Sequence, residues 1–286
     1  MSSLDQFESV FNSAAKETFV SQSIKIKQVL IILDLPEALQ DDYLYLVKGF
    51  LSVLELNSEV EWKIFGKSES SRMQDTLNAV EHYRPDLIVT YRHLHSDSDD
   101  WPYGLGTHID VLTQATTTPV LILPNPDRKN LSNHSLNKTD RVMAVTDHLA
   151  GDHSLVSYSA HLTQERGTLF LAHVEDKAVF DRYIGAVSKI PDLDTETASK
   201  QIQTQLLKEP NDYVESCRAG LNKTFPTIKV EHRVRLGSRM SDYRNLVDEN
   251  EIDLLVMYTK DDEQLAMHGV AYPLAVELRS TPLLML

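Results

Sequence analysis

One cysteine in 286 residues, Cys217, leaves no material for a disulfide framework or a cysteine-based zinc site. Placed inside a helical stretch, it is expected to be inert filler. Basic residues are also few: 28 Lys and Arg against 42 Asp and Glu, a net charge of −14. The deficit is spread along the chain, 11 against 19 up to residue 137 and 17 against 23 after it. Neither half has the clustered cations that nucleic acid or an anionic membrane demands, so neither is expected as a partner. No run approaches the ~20 apolar residues of a membrane span. The opening "MSSLDQFESVFNSAAKETFV" lacks the basic start and apolar run of a secretory signal, so a soluble cytoplasmic protein is expected. Also missing are G-x-S-x-G, H-E-x-x-H and a P-loop lysine, and no enzyme is expected.

What is present is a core: 42% of the residues are hydrophobic. Leu4, Phe7, Val10, Phe11 and Ala14 recur at helical spacing and predict a helix over 4–20. Apolar runs then alternate with helical patterns. "IKIKQVLIILD", "VEWKIFG", "DLIVTY" and "PVLIL" read as buried strands, separated by helices over 41–56, 70–83 and from 107 onward. Residues 124–140, rich in Asn, Ser and Pro, read as a linker. The pattern restarts with "RVMAVTD", a helix over 152–165, "GTLFLAHV", a polar stretch and a helix over 198–222 that Pro210 interrupts. It closes with "IKVEHRVRLG", a helix over 239–250, "DLLVMY", a last helix and "TPLLML". Such alternation predicts parallel α/β structure.

The two halves repeat each other. "IILD" ending at Asp34 matches "AVTD" ending at Asp147, "VEWKIFGKS" matches "VEHRVRLGS", and "PDLIVTY" matches "IDLLVMY". "GTHIDVLTQATTTPVLIL" matches "GVAYPLAVELRSTPLLML", with thirteen residues from Gly106 to Pro119 and from Gly269 to Pro282. From Asp34 to Val60 is 26 residues, whereas from Asp147 to Val230 is 83, so the first copy is read as missing the second strand and its long helix. The boundaries that follow are an N-terminal helix over 1–22, a first domain over 23–124, a linker over 125–139 and a second domain over 140–286. The N-terminal helix is expected to cover the surface that the deletion exposes.

Two half-length copies ending in Gly-Thr…Thr-Pro-Val-Leu-Ile-Leu resemble a tandem universal stress protein. The resemblance covers about residues 24–123 and 140–286. It implies two flavodoxin-like (adenine nucleotide alpha hydrolase-like) domains, pairing through 118–123 and 281–286 as an internal pseudo-dimer. Homodimers are compatible with it. ATP-binding members carry G-x-x-G, nine residues, then G-[S/T], with an acidic residue ending the first strand. Carried over, the nucleotide crevice would involve Asp34, Gly106 and Thr107 in the first copy and Asp147, Gly237 and Gly269 in the second. The two earlier glycines fall on His93 and Ser96, Val270 replaces the second hydroxyl residue, and Asp261, Asp262 and Glu263 crowd the second loop. The resemblance therefore implies a non-catalytic stress-response protein that binds a protein partner or small molecule and has no cofactor. The alternative is an ATP- or AMP-binding regulatory switch.

Three further clusters have plain readings. His93, His95, Asp97, Asp99 and Asp100 match no metal spacing and read as a solvated loop, so no metal is expected. Asp152 and His153 open a helix beside Asp147 and His148, with Asp152 as its cap. His173 reads as a packed structural histidine. Tyr91 and Tyr258 share one repeat position, where a phenol would fill space beside a nucleotide crevice.

Overall fold

The computed structural model describes residues 18–56, 59–96, 104–127, 131, 136–146, 151–259 and 270–286. Apolar runs without alternation become strands buried on both faces, which is what a parallel sheet requires. β1 (Gln28–Ile32), β3 (Leu87–Tyr91), β4 (Val120–Leu123), β5 (Arg141–Val145), β8 (Leu254–Met257) and β9 (Leu283–Met285) are of this kind. β2 (Glu61–Phe65), β6 (Thr168–Asp176) and β7 (Lys229–Gly237) complete one sheet, ordered β2-β1-β3-β4-β9-β8-β5-β6-β7. Charged residues mark both edges: Glu61 and Lys63 on β2, and Lys229, Glu231, Arg233 and Arg235 on β7. Charge of this kind discourages further strand addition.

Every strand pair is parallel except β4 with β9, whose register sets Val120, Leu121 and Ile122 against Met285, Leu284 and Leu283. All six residues are buried. This antiparallel seam makes the whole mixed α/β structure one sheet. A repeated device starts each side of it. Arg84 and Glu251 both take left-handed backbone, with φ of 48° and 46°. Two residues later, Asp86 accepts from the Lys27 and Gln28 N–H groups, and Asp253 accepts from the Arg141 N–H. β2 shows where sequence alignment and space part. Its residues align with β7, yet it lies against β1, in the place that β6 takes against β5.

The helices are α1 (Glu37–Phe50), α2 (Ser52–Glu55), α3 (Lys67–Ser70), α4 (Met73–Tyr83), α5 (Thr107–Ala115), α6 (His153–Leu162), α7 (Lys177–Val187), α8 (Thr195–Thr224), α9 (Arg239–Glu249) and α10 (Ala271–Glu277). Three differ from the sequence reading. α7 falls in a stretch read as polar; its signal is Asp176, whose carboxylate accepts from the Ala178 and Val179 N–H groups as an N-cap. α8 runs 30 residues straight through Pro210. An interior proline costs about 3 kcal/mol, but burial of Tyr213, Val214, Cys217 and Leu221 beyond it holds the helix in place. The helix expected over 4–20 lies outside the described residues up to 17, and residues 18–20 are not helical.

Instead, residues 18–27 form a strap with no regular structure. The Phe19 N–H donates to Ser216 Oγ on α8 and the Gln22 N–H to Ser157 Oγ on α6. Phe19 is buried edge-on to His153 and Tyr213. It sits over Gly220, where an added Cβ would come within 2.7 Å of its ring. The strap thus rests on the second half of the sheet; the helix expected to cover the first falls mostly outside the described residues.

Cys217, on the same helix α8, is fully buried, and burial pushes its thiol up to about 12. A thiol reagent is expected to leave the native protein unmodified at mildly alkaline pH and to label one thiol per chain in urea. Rapid labelling of native protein would contradict this packing.

Candidate functional site

The carboxyl ends of the neighbouring strands β1 and β3 lie side by side, the usual place for a ligand crevice in an open α/β sheet. Asp34 follows β1 and is 5% exposed. Tyr91 closes β3 and is fully buried. The Tyr91 hydroxyl accepts from the Asp34 N–H at 2.9 Å and donates to Asp34 Oδ1. The other carboxylate oxygen, Oδ2, accepts from the His95 N–H at 3.0 Å. Tyr43 of α1 stands edge-on to Tyr91, with centroids 5.5 Å apart, and burial raises its hydroxyl pKa well above the usual phenol value. Asp34 is thus held by the chain's own groups from two directions.

The loop after β3 makes this possible. His93 and His95 both take left-handed backbone, with φ of 59° and 57°. Side chains rarely adopt that conformation, and it tends to gather at sites that the surrounding fold over-determines. The His93 N–H donates to Leu105 O at 2.8 Å, joining the two sides of the loop. Gly106 fits against it with φ of 99°; a Cβ there would lie 3.0 Å from His93 Cα. Thr107 then opens α5 with its side chain exposed. His93 and Gly106 thus pack backbone on backbone.

The His95 ring turns inward. Its Nε2 lies 2.8 Å from Ser70 Oγ, its Nδ1 3.9 Å from Asp34 Oδ2, and its centroid 4.8 Å from that of His108. Ser70, His95 and Asp34 therefore match a hydrolytic triad in composition, but not in geometry. Ser70 is fully buried and its hydroxyl donates to Gly66 O at 2.9 Å. Gly66 O and Leu33 O at 3.3 Å compete with His95 Nε2 for that single proton, so the hydroxyl is not committed to the imidazole as a nucleophile's must be. The Nδ1–carboxylate distance is beyond hydrogen bonding, and the carboxylate is bonded to Tyr91 instead.

Of the residues named from sequence, Asp34, Gly106 and Thr107 lie around this one loop. Asp147 and Gly269 lie outside the described residues, as do Asp97, Asp99 and Asp100. Gly237, carried over to the second copy, ends the edge strand β7, two strands from β5. Its missing Cβ leaves room for Asp242, which accepts from the Ser238 N–H and pairs with Arg235. Asp152 stands at the start of α6 without capping it; its carboxylate accepts from the Thr146 hydroxyl instead. His153 Nδ1 lies 2.7 Å from the Tyr213 hydroxyl. Tyr258 does a different job from Tyr91, accepting from the Leu155 N–H at 3.2 Å. His173 is 3% exposed, and burial depresses its pKa despite Glu175 at 3.3 Å. Among the described residues no group of three or more metal-ligating side chains converges, and no helix is long and apolar enough to cross a membrane. Sequence reasoning missed Ser70, Tyr43 and the inward turn of His95, which carry no local pattern.

Two cavities lie away from this loop. One of about 120 Å³ at the amino end of β4 is lined by Thr113, Thr116, Thr118, Thr259 and Met285, well below the roughly 300 Å³ of an ordinary ligand pocket. The other, about 380 Å³, lies between α8 and the start of β7 beside Glu215, Arg218 and Val230.

No known family model matches the chain, and no curated protein sequence does. Among solved structures, it is similar to a functionally unknown protein from Pseudomonas aeruginosa PAO1, at 14% identity and a TM-score of 0.50, over 91% of this chain and 92% of that one. It is also similar to a protein of Pseudomonas aeruginosa UCBPP-PA14 described as a candidate universal stress protein, at 13% identity and a TM-score of 0.52, over 91% and 93%. These likenesses establish the fold.

Proposed function

We propose that this chain is a cytoplasmic stress-response protein that acts without catalysis, by binding a protein partner or a small molecule, and that its first crevice does not take ATP. The reading is carried by one observation: the Asp34 carboxylate is engaged by Tyr91 and by the His95 N–H, with the loop folded against Gly106. A nucleotide would have to displace three hydrogen bonds and a buried aromatic ring. Each buried polar group left unpaired costs about 1–3 kcal/mol, which weakens any nucleotide by orders of magnitude. The fold's likeness to a candidate universal stress protein supports the cellular role. The net charge of −14 supports a partner other than nucleic acid or an anionic membrane.

The deciding experiment is mass spectrometry of ligands released from freshly purified protein, together with calorimetric titration of ATP and AMP with and without Mg²⁺. No nucleotide released and no heat of binding is the expected result. Micromolar ATP binding that Asp34→Asn abolishes would overturn the reading in favour of a nucleotide switch.

A further inference from the structure

Arg92 is the most anomalous charge among the described residues. Its N–H extends the β3–β4 ladder, donating to Leu123 O at 3.1 Å. Its side chain leaves the first half and crosses the seam, where Nη2 donates to Leu278 O at 2.8 Å, at the end of α10. The residue is 2% exposed, yet Nε and Nη1 are buried without a hydrogen-bond partner. Two residues earlier on the same face of β3, the Thr90 hydroxyl is also buried without a partner. Burial and the neighbouring Arg279 charge pull the guanidinium pKa down to about 10. A helix C-terminus favours a cation only modestly, whereas buried charges are as a rule paired. Among the described residues no carboxylate pairs with Arg92; the nearby charge is Arg279, exposed at the surface and of the same sign.

We propose that Arg92 holds a small oxyanion, a phosphate or a carboxylate, at the joint between β3 and the end of α10, so that the anion helps tie the two halves of the sheet together. Arginine suits the task because its guanidinium stays charged when desolvated and presents several donors in fixed directions. The proposal does not depend on the Asp34 crevice, and its failure would leave the proposed function standing.

The test uses the full chain with ¹⁵N-labelled arginine. Inorganic phosphate and acetate are titrated in separate arms, and the arginine Nε–H resonances and the melting temperature are followed. Arg92→Met identifies the Arg92 resonance by its loss; if that variant does not fold, Arg92→Lys serves. Phosphate or acetate is expected to shift the Arg92 Nε–H signal saturably and to raise Tm by about 3 °C at ten times the dissociation constant. The arm that responds names the source of the oxyanion. Without added oxyanion, Arg92→Met is expected to melt above the wild type, because a buried unpaired charge has been removed, and to lose the anion response. Unchanged Nε–H signals and Tm in both arms would overturn the proposal, as would an anion response that survives in Arg92→Met.

Discussion

Leu284→Asp is expected to abolish cooperative folding or to bring the urea midpoint close to zero. Leu284 is the middle residue of β9, fully buried, with Leu121 of β4 on one side and Val256 of β8 on the other. The substitution removes a packed side chain, worth about 2–5 kcal/mol. It also places a carboxyl group where no cation or donor side chain is aligned to meet it, adding at least about 2 kcal/mol even when the group protonates. The total approaches the whole stability of an ordinary domain, about 5–15 kcal/mol. Leu284→Met, which conserves volume, is expected to cost less than about 1.5 kcal/mol. Urea unfolding followed by circular dichroism measures both. A Leu284→Asp protein with the wild-type midpoint would mean that β4 and β9 do not form the seam in solution.

Tyr91→Phe is expected to cost about 3 kcal/mol, far more than the loss of one hydroxyl on a surface. The phenol oxygen serves two groups of one buried residue, accepting from the Asp34 N–H and donating to its carboxylate. Phenylalanine keeps the ring and removes both of these bonds from a buried residue, and a buried polar group that loses its partner costs about 1–3 kcal/mol. Tyr258→Phe is the control at the matching repeat position. It removes the 3.2 Å bond from the Leu155 N–H in a less enclosed place, and is expected to cost about 1 kcal/mol. Paired with Asp34→Asn, Tyr91→Phe should show a coupling energy above about 1 kcal/mol in a double-mutant cycle. Additive losses would show that the phenol and the carboxylate do not act on each other.

The same two tyrosines show how far sequence reading reaches into the site. Their equivalence is visible as "TY" and "MY" closing matched strands, at a position expected to fill space beside a nucleotide crevice. Their different partners are not visible. Tyr91 meets an aspartate 57 residues away, and Tyr258 meets a backbone N–H 103 residues away. Gly106 was legible as the glycine at a helix entrance, carried over by resemblance from a nucleotide crevice. What requires a glycine there is the His93 backbone, which the sequence does not show. Pro210 and the stretch from 177 to 187 misled for the opposite reason: local propensity argued for a break and a polar loop, and packing on α8 together with the Asp176 cap prevailed.

Strand identity, the alternation with helices and the two matching Asp-led strand starts were written in local apolar runs, because burial on both faces of a sheet leaves a signature within five or six consecutive residues. The state of the crevice was not. It depends on left-handed backbone at His93 and His95 and on hydrogen bonds that bring residues 34, 70, 91 and 95 together. The seat of β2 against β1 and the crossing of Arg92 to Leu278 likewise join segments that no periodicity connects. Local pattern reports how much surface a segment must bury; which segment buries it, and whether a ligand or the chain itself fills the space, is settled only when distant parts compete for the same place.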